Sequence, residues 1–386
     1  MATVLRSAVA RLRLLAAGTL VLLAGSGGAI PATSGAAFAS SPATAAGAPD
    51  APVRAASTAE VEPDQPVALA ISGDAHLYIG DRGRNEILGW TPSGGFRVVA
   101  GTGRAGLTGD GGPAVRAEID APTSLVATPG GTLYFTQAGR DRAPSSGGMR
   151  NSVIREITRA GTIRTVAGLR PRCLPGPARS IPAQSALFDG ASLSLSPNGA
   201  LAVDALLCVG EIHARGLGPD LLLTSSGRFV EDASHPLPPV ASVDCGSGVP
   251  GHGFRAFGCE SGGGHPRELL VVRSDGSSAA YPDYRGGEVV RGDGEVVATY
   301  DVSLVRVTRS RLVVLLTTRD LARALHVRRS AIADLYAPAV DGRGDVYFVA
   351  STLSRAGCRN GIIERTTGGT IRELWASSTS RGNTCA

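Results

Sequence analysis

A short apolar strand followed by a tight polar turn recurs six times along this 386-residue chain, and no other feature narrows the fold as far. The copies begin with Ile87-Leu88-Gly89-Trp90 before Ser93-Gly94-Gly95, Ile154-Arg155-Glu156-Ile157 before Arg159-Ala160-Gly161, and Leu221-Leu222-Leu223 before Ser226-Gly227. They continue with Leu269-Leu270-Val271-Val272 before Asp275-Gly276, Val313-Val314-Leu315-Leu316 before a turn without glycine, and Ile362-Ile363-Glu364 before Gly368-Gly369. In the clearest copies a second strand follows, at residues 96–101, 163–168 and 371–376. Upstream lies another hairpin, turning at Ser72-Gly73-Asp74, Pro129-Gly130-Gly131, Pro197-Asn198-Gly199 or Gly342-Arg343-Gly344-Asp345. Four short strands joined by tight turns make one propeller blade. Such a unit has two apolar faces and cannot bury them alone, so copies stack radially. The expected fold is all-β: a β-propeller of six four-stranded blades, with seven left open. Helical periodicity is nearly absent, and residues 321–332 read equally well as a short helix or a strand.

Part of the repeat resembles bacterial NHL repeats. The residues that carry the resemblance are Val99-Ala100-Gly101, then Gly109-Asp110-Gly111-Gly112-Pro113-Ala114, Ala117-Glu118-Ile119 and Ala121-Pro122. Leu77-Tyr78-Ile79-Gly80-Asp81 and Asn85-Glu86-Ile87 match the middle of that repeat. The resemblance covers residues 66–168; a degraded copy opens the third blade at residues 182–187, and the sixth blade is recognisable. The third to fifth blades keep only the strand rhythm. The position of Asp81 becomes Gln137 in the second blade, and Asn151 and Asn360 stand in offset or expanded loops.

Residues 1–39 hold no acidic side chain; Arg6, Arg11 and Arg13 precede an apolar run over residues 14–24, and Ala37-Phe38-Ala39 closes the segment. A basic flank, a short apolar stretch and an Ala-x-Ala site read as a secretory signal peptide, so the expected location is extracellular. Residues 40–62, rich in Ala, Pro, Ser and Thr, read as a disordered linker. Residues 63–376 are assigned to the propeller and 377–386 to a C-terminal tail. No second long apolar run follows, so no membrane span is expected after cleavage. Export also changes the charge argument. All 38 basic residues are arginine, and removing the three in the signal leaves 35 against 33 acidic residues, which takes away the main reason to expect nucleic acid.

Six cysteines in an exported chain imply disulfides, and no Cys-x-x-Cys spacing suggests zinc or a redox dithiol. Placing them on the blade pattern predicts bridges Cys173–Cys208, Cys245–Cys259 and Cys358–Cys385 near one face, the last tethering the tail. Gly101-Thr102-Gly103-Arg104-Ala105-Gly106 formally fits a dinucleotide fingerprint. Gly109, Gly111, Gly112 and Pro113 prevent the helix that such a site needs. Arg291-Gly292-Asp293 and Arg343-Gly344-Asp345 fall at equivalent hairpin turns, where Gly and Asp serve the turn itself. The six histidines are scattered; His252, His265 and Glu260 share one Gly-rich segment without ligand-like spacing. No Gly-x-Ser-x-Gly elbow and no calcium loop occurs. No catalytic residue, metal ligand or cofactor is assigned, and Asp81 and Asn85 are expected to hydrogen-bond their own loops.

Function is expected on the face that carries the blade-to-blade connections, because long loops on a rigid scaffold are where recognition resides. Arg104, Asp110, Arg140 and Arg142 are the candidate ligand-binding residues, within a wider arginine set suited to an anionic partner. The reading is a monomeric, non-catalytic extracellular binding module whose partner is a protein or an anionic cell-envelope polymer. The alternative is a propeller lyase or hydrolase with a metal at the channel mouth.

Overall fold

The computed structural model describes residues 61–139, 152–169, 180–196, 199–209, 212–214, 221–231, 249–251, 253–259, 268–282, 288–290, 296–300 and 302–378. Residues 1–60, with the signal and nearly all of the linker assignment, lie outside them.

Six sheets follow one another along the chain. Blade 1 pairs β1 (Pro66–Ile71), β2 (Leu77–Asp81), β3 (Glu86–Thr91) and β4 (Gly95–Ala100) in that order. Blade 2 pairs β5 (Ser124–Ala127), β6 (Leu133–Ala138), β7 (Ser152–Ile157) and β8 (Ile163–Ala167). Blade 3 has six strands rather than four. Its main ladder runs β10 (Phe188–Leu195), β11 (Leu201–Val209), β13 (Leu221–Leu223) and β14 (Arg228–Glu231); β9 (Ser180–Pro182) is added outside β14, and β12 (Ile212–Ala214) extends the hairpin of β11. Blade 4 is β15 (Val249–Gly251), β16 (Phe254–Cys259), β17 (Glu268–Arg273) and β18 (Ser278–Pro282). Blade 5 is β19 (Glu288–Val290), β20 (Val296–Tyr300), β21 (Ser303–Val307) and β22 (Leu312–Leu316). Blade 6 is β23 (Ile332–Val340), β24 (Val346–Ser354), β25 (Gly357–Arg365) and β26 (Ile371–Ala376).

All ladders are antiparallel, and the blade count is six. The first strands pack on one another around the centre, β1 lying between β5 and β23. Each sheet is drawn from one continuous stretch of chain, and among the described residues no strand from the N-terminal side joins blade 6.

The turns follow from their residues. At Thr128, Thr158, Ser196, Thr224, Asp341 and Thr366 the carbonyl accepts the N–H of a residue three positions on. That residue is glycine each time, with φ between 71° and 88°. This is the three-residue hairpin loop in which a type I turn ends on a left-handed residue, and it sets the register of the strands it joins. The Val-Ala-Gly ends of blades 1 and 2 have a separate cause. A Cβ on Gly101 would lie 2.5 Å from the Asn85 carbonyl oxygen, and one on Gly168 would collide with that of Ser152.

Two local expectations are corrected. Val313-Val314-Leu315-Leu316 is not the third strand of its blade; it belongs to β22, the outermost, and β21 takes the inner place. The ambiguous stretch beyond it is helix first and strand later. The one α-helix among the described residues, α1 (Thr318–Ala324), is capped by Thr317, whose Oγ1 accepts the Asp320 N–H at 3.2 Å, and β23 starts at Ile332.

The core is a series of wedges between blades. Ala68, Tyr78 and Ile87 meet Leu125, Phe135 and Ile157 between blades 1 and 2. Ile154 and Ala167 meet Phe188, Leu201 and Phe229 between blades 2 and 3. Blades 4 and 5, and 5 and 6, are joined by Val, Leu, Ala and Phe in the same manner. Leu69, Leu77, Leu88 and Phe96 meet Tyr347, Val349, Ile362 and Trp375 where the ring closes between blades 6 and 1.

Candidate functional site

The connection from β4 to β5 carries most of the NHL-like residues, and it is fastened to blade 2. Gly111 N–H donates to the Ile163 carbonyl at 2.8 Å, Ile163 N–H returns to Gly112 at 3.0 Å, and Ala114 N–H reaches Gly161 at 2.8 Å. Below this strap sits Arg155 of β7, whose side chain has no exposed surface. Its guanidinium donates to the Thr108 carbonyl at 2.8 Å, the Glu118 carbonyl at 3.0 Å and Asp110 Oδ1 at 2.7 Å. Burial pulls the Arg155 pKa down from the usual arginine value, and Asp110 opposes that shift. Asp110 also accepts the backbone N–H of Thr165 on Oδ2 at 3.0 Å. Both of its carboxylate oxygens are therefore engaged within the chain.

The other candidates divide. Arg104 is 81% exposed and meets Glu118 only at 3.4 Å. Arg82 is exposed and forms no ion pair among the described residues, whereas Arg84 is held by Glu86 at 2.7 Å. Arg140 and Arg142 lie outside the described residues. Asp81 is fully buried and accepts the N–H groups of Asp64, Gln65 and Arg84, and Asn85 Oδ1 accepts that of Ala121 at 2.9 Å. The expectation that both bond their own loops holds only for the Asp81–Arg84 contact; Asp81 otherwise ties down the lead-in to β1, and Asn85 reaches the far end of the β4–β5 connection. Gln137 occupies the place of Asp81 in blade 2 with reversed polarity, since its Nε2 donates to the Gly106 carbonyl at 2.9 Å.

A channel cavity of about 220 Å³ opens between the first strands of blades 1, 2, 3 and 6. Its described lining includes Val67, Ile71, Thr123, Ser124, Leu193 and Ala337 and contains no ionisable side chain. Ser124 Oγ accepts the Leu193 N–H across two blades at 3.0 Å. Tyr336 Oη donates to the Pro66 carbonyl at 3.3 Å across the ring closure, and burial pushes its pKa up to about 12.

A second cavity, about 520 Å³, lies between blades 2 and 3 beside the hairpin turns at Gly199 and Gly227. Its blade 2 wall holds Tyr134 and Glu156, which are register partners on β6 and β7, with Arg164 from β8. Arg164 Nε donates to Glu156 Oε2 at 2.8 Å. Blade 6 repeats the set. There Tyr347 and Glu364 are register partners, and Arg372 Nε lies 2.9 Å from Glu364 Oε2. Tyr347 Oη also donates to Glu364 Oε1 at 3.1 Å. No such bond forms between Tyr134 and Glu156 among the described residues. This repeated Tyr–Glu–Arg set was missed in the sequence, although a glutamate followed eight positions later by arginine marks both copies.

Cys259 and Cys358 are disulfide-bonded and no described cysteine is free. No bridge joins two described cysteine side chains. Cys173, Cys245 and Cys385 lie outside the described residues, so the expected pairings stay open; Cys208 stands at the end of β11, opposite His213. Asp345 of the second Arg-Gly-Asp run accepts the Thr367 N–H at 2.7 Å, in keeping with a turn role. The first run, and His252, Glu260 and His265, lie outside the described residues. Among the described residues no three His, Cys, Asp or Glu side chains gather as a metal site would need. The supposed dinucleotide fingerprint leads only to a single 3-10 turn at Ala114–Arg116.

No protein-family model matches the chain, and no curated protein matches its sequence. Solved structures match its fold. Virginiamycin B lyase from Staphylococcus aureus aligns at 16% identity and a TM-score of 0.41, over 80% of this chain and 83% of its own. A gluconolactonase from Xanthomonas campestris aligns at 11% and 0.42, over 75% and 84%. The PQQ-bound aldose sugar dehydrogenase from Streptomyces coelicolor aligns at 15% and 0.40, over 77% and 91%. These likenesses carry nothing about activity, and it is the six sheets of the chain itself that make it a six-bladed β-propeller.

Proposed function

We propose that this protein is a secreted, non-catalytic propeller of the NHL type that binds an anionic polymer or an acidic protein surface of the cell envelope. The observation that carries the reading is the exposure of Arg82 and Arg104 on the loops that leave β2 and β4, with little or no internal ion pairing. Arginine suits phosphate and carboxylate partners because its planar fork binds them in two places at once. The uncharged wall of the described channel supports binding over acid–base chemistry, which would require ionisable side chains converging there. Asp110 acts as a fastener for the strap that presents Arg104.

The test is calorimetry of the protein cut after Ala39 with polyphosphate and a purified phosphate-bearing wall polymer, at two salt concentrations. Binding is expected to weaken with salt, and to fall about tenfold in an Arg82→Ala/Arg104→Ala variant. Unchanged affinity in that variant and in Arg140→Ala/Arg142→Ala overturns the proposal, as does stoichiometric retention of calcium or zinc with hydrolytic or lyase activity. Mass spectrometry of the exported protein checks cleavage after Ala39. Non-reducing peptide mapping checks Cys173–Cys208, Cys245–Cys259 and Cys358–Cys385.

A further inference from the structure

We infer that the groove between blades 2 and 3 is a binding site for a neutral, polyhydroxylated small molecule of sugar size, held between Tyr134 and Glu156. The inference starts from the two copies of the Tyr–Glu–Arg set. In blade 6 the tyrosine hydroxyl and both glutamate oxygens have partners within the set: Tyr347 Oη bonds Glu364 Oε1, and Arg372 Nε takes Glu364 Oε2. In blade 2 the Glu156–Arg164 half is made and the tyrosine half is not. Tyr134 Oη and Glu156 Oε1 have no hydrogen-bond partner among the described residues, and both residues line the cavity.

The opposite wall explains why the space exists. Blade 1 presents Trp90 and Phe96 toward blade 6, a cross-strand pair with ring centroids 6.4 Å apart. The register places Leu223 and Phe229 at the same positions of blade 3. Leu77 opposes Trp90 as Leu201 opposes Leu223, so the equivalence holds on both sides. A leucine stands where an indole fills the other junction, and about 520 Å³ remains open. That volume falls within the range of small-molecule pockets.

The chemistry of the lining selects the ligand. Glu156 and Arg164 neutralise each other, so a charged ligand would have to break their pair. A hydroxyl group can accept from Tyr134 and donate to Glu156 in the same position, which completes the bond that blade 6 makes internally. The Gln184 amide adds a polar group on the rim, with Nε2 committed to the Thr165 carbonyl at 2.6 Å and Oε1 unbonded. The aliphatic surfaces of Leu201, Leu223 and Val166 face the apolar side of a sugar ring.

The experiment is saturation-transfer NMR, followed by calorimetry, on the whole mature protein in glycerol-free buffer. The probes are glucose, N-acetylglucosamine and maltose, with glucose 6-phosphate as a charged comparator. At least one neutral probe is expected to bind in the millimolar range or tighter. Tyr134→Phe should weaken it about tenfold, and Tyr347→Phe should not change it. Leu223→Trp should abolish binding while the melting temperature and polyphosphate binding persist. Loss of the polyphosphate site alone leaves this inference standing, since it uses other residues. The inference is overturned if no neutral probe binds, if binding requires the phosphate group, or if a folded Leu223→Trp protein still binds. Should Leu223→Trp fail to fold, unchanged affinity in Tyr134→Phe overturns it.

Discussion

The junction between blades 6 and 1 and the junction between blades 2 and 3 are built on one plan and finished differently. Each sets a Tyr–Glu–Arg surface against a hairpin carrying a Phe on its fourth strand. At 6/1 the tyrosine is 6% exposed and bonded to its glutamate, and Trp90 packs into the wedge. At 2/3 the tyrosine is half-buried and the wedge stays partly empty. The chain itself supplies a reason. Residues 168–187 tie blade 2 to blade 3, whereas β26 and β1 are not consecutive in the chain, and among the described residues their blades are joined by packed side chains and the Tyr336–Pro66 hydrogen bond. Dense packing is required where covalent continuity is missing, and a cavity is tolerated where a connection carries the load.

The largest expected effect tests that claim. Trp90→Leu makes the seam resemble the groove and should cost about 2 kcal/mol, because buried contacts are lost with partial relaxation. Leu223→Trp, the reverse exchange at 2/3, should change stability by less than about 1 kcal/mol. Urea unfolding of both variants checks the pair, and equal losses would remove the distinction.

A middle-sized effect separates the two tyrosines. Tyr347→Phe leaves Glu364 Oε1 without its donor and should cost about 1 kcal/mol, while Tyr134→Phe should be nearly neutral. Alkaline pH probes the same contrast. Both tyrosines have raised pKa values, first through burial and then through the facing glutamate, and Tyr347 is shifted far up. A group raised in the folded state contributes stability that is full below its unfolded value near 10 and is lost as pH climbs toward the folded value. Tyr347→Phe should therefore flatten the alkaline loss of stability more than Tyr134→Phe, read as melting temperature between pH 8 and 11.

The smallest effect is a control. Arg164 and Arg372 are 62% and 61% exposed, so Arg→Ala at either should cost under about 1 kcal/mol and by similar amounts. A clear difference between them would move the contrast from the tyrosine half of the set to the arginine half.

The ring was legible because its turns demand particular residues. Thr128, Thr158, Ser196, Thr224 and Thr366 each precede a glycine that only a left-handed turn requires, and Val-Ala-Gly recurs where a Cβ has no room. Blade 5 was misread for the complementary reason. An unbroken run of Leu and Val carries no signal of inner or outer placement, and a helix rather than a glycine turn follows β22. Of the bonds made by Asp81 and Asn85, only the one from Arg84 to Asp81 could be read locally; the others reach 16 to 36 positions along the chain. The role of Asp110 could not be read locally either, because its partner Arg155 lies 45 positions away inside an ordinary strand pattern. The groove was least legible of all, since it depends on which blades are neighbours and on one Trp-to-Leu difference between hairpins far apart in sequence.

Because every sheet is drawn from one uninterrupted stretch, the ring has a clasp, and the clasp is movable. Joining Ala376 to Pro66 requires only what the chain already does between Pro282 and Glu288, where five residues pass from an outermost strand to the next innermost one. A circular permutant opened between blades 2 and 3 should therefore close, but its new ends would meet at the junction least equipped to hold together. The first and last strands of the ring meet at the seam into which the Trp90 indole packs.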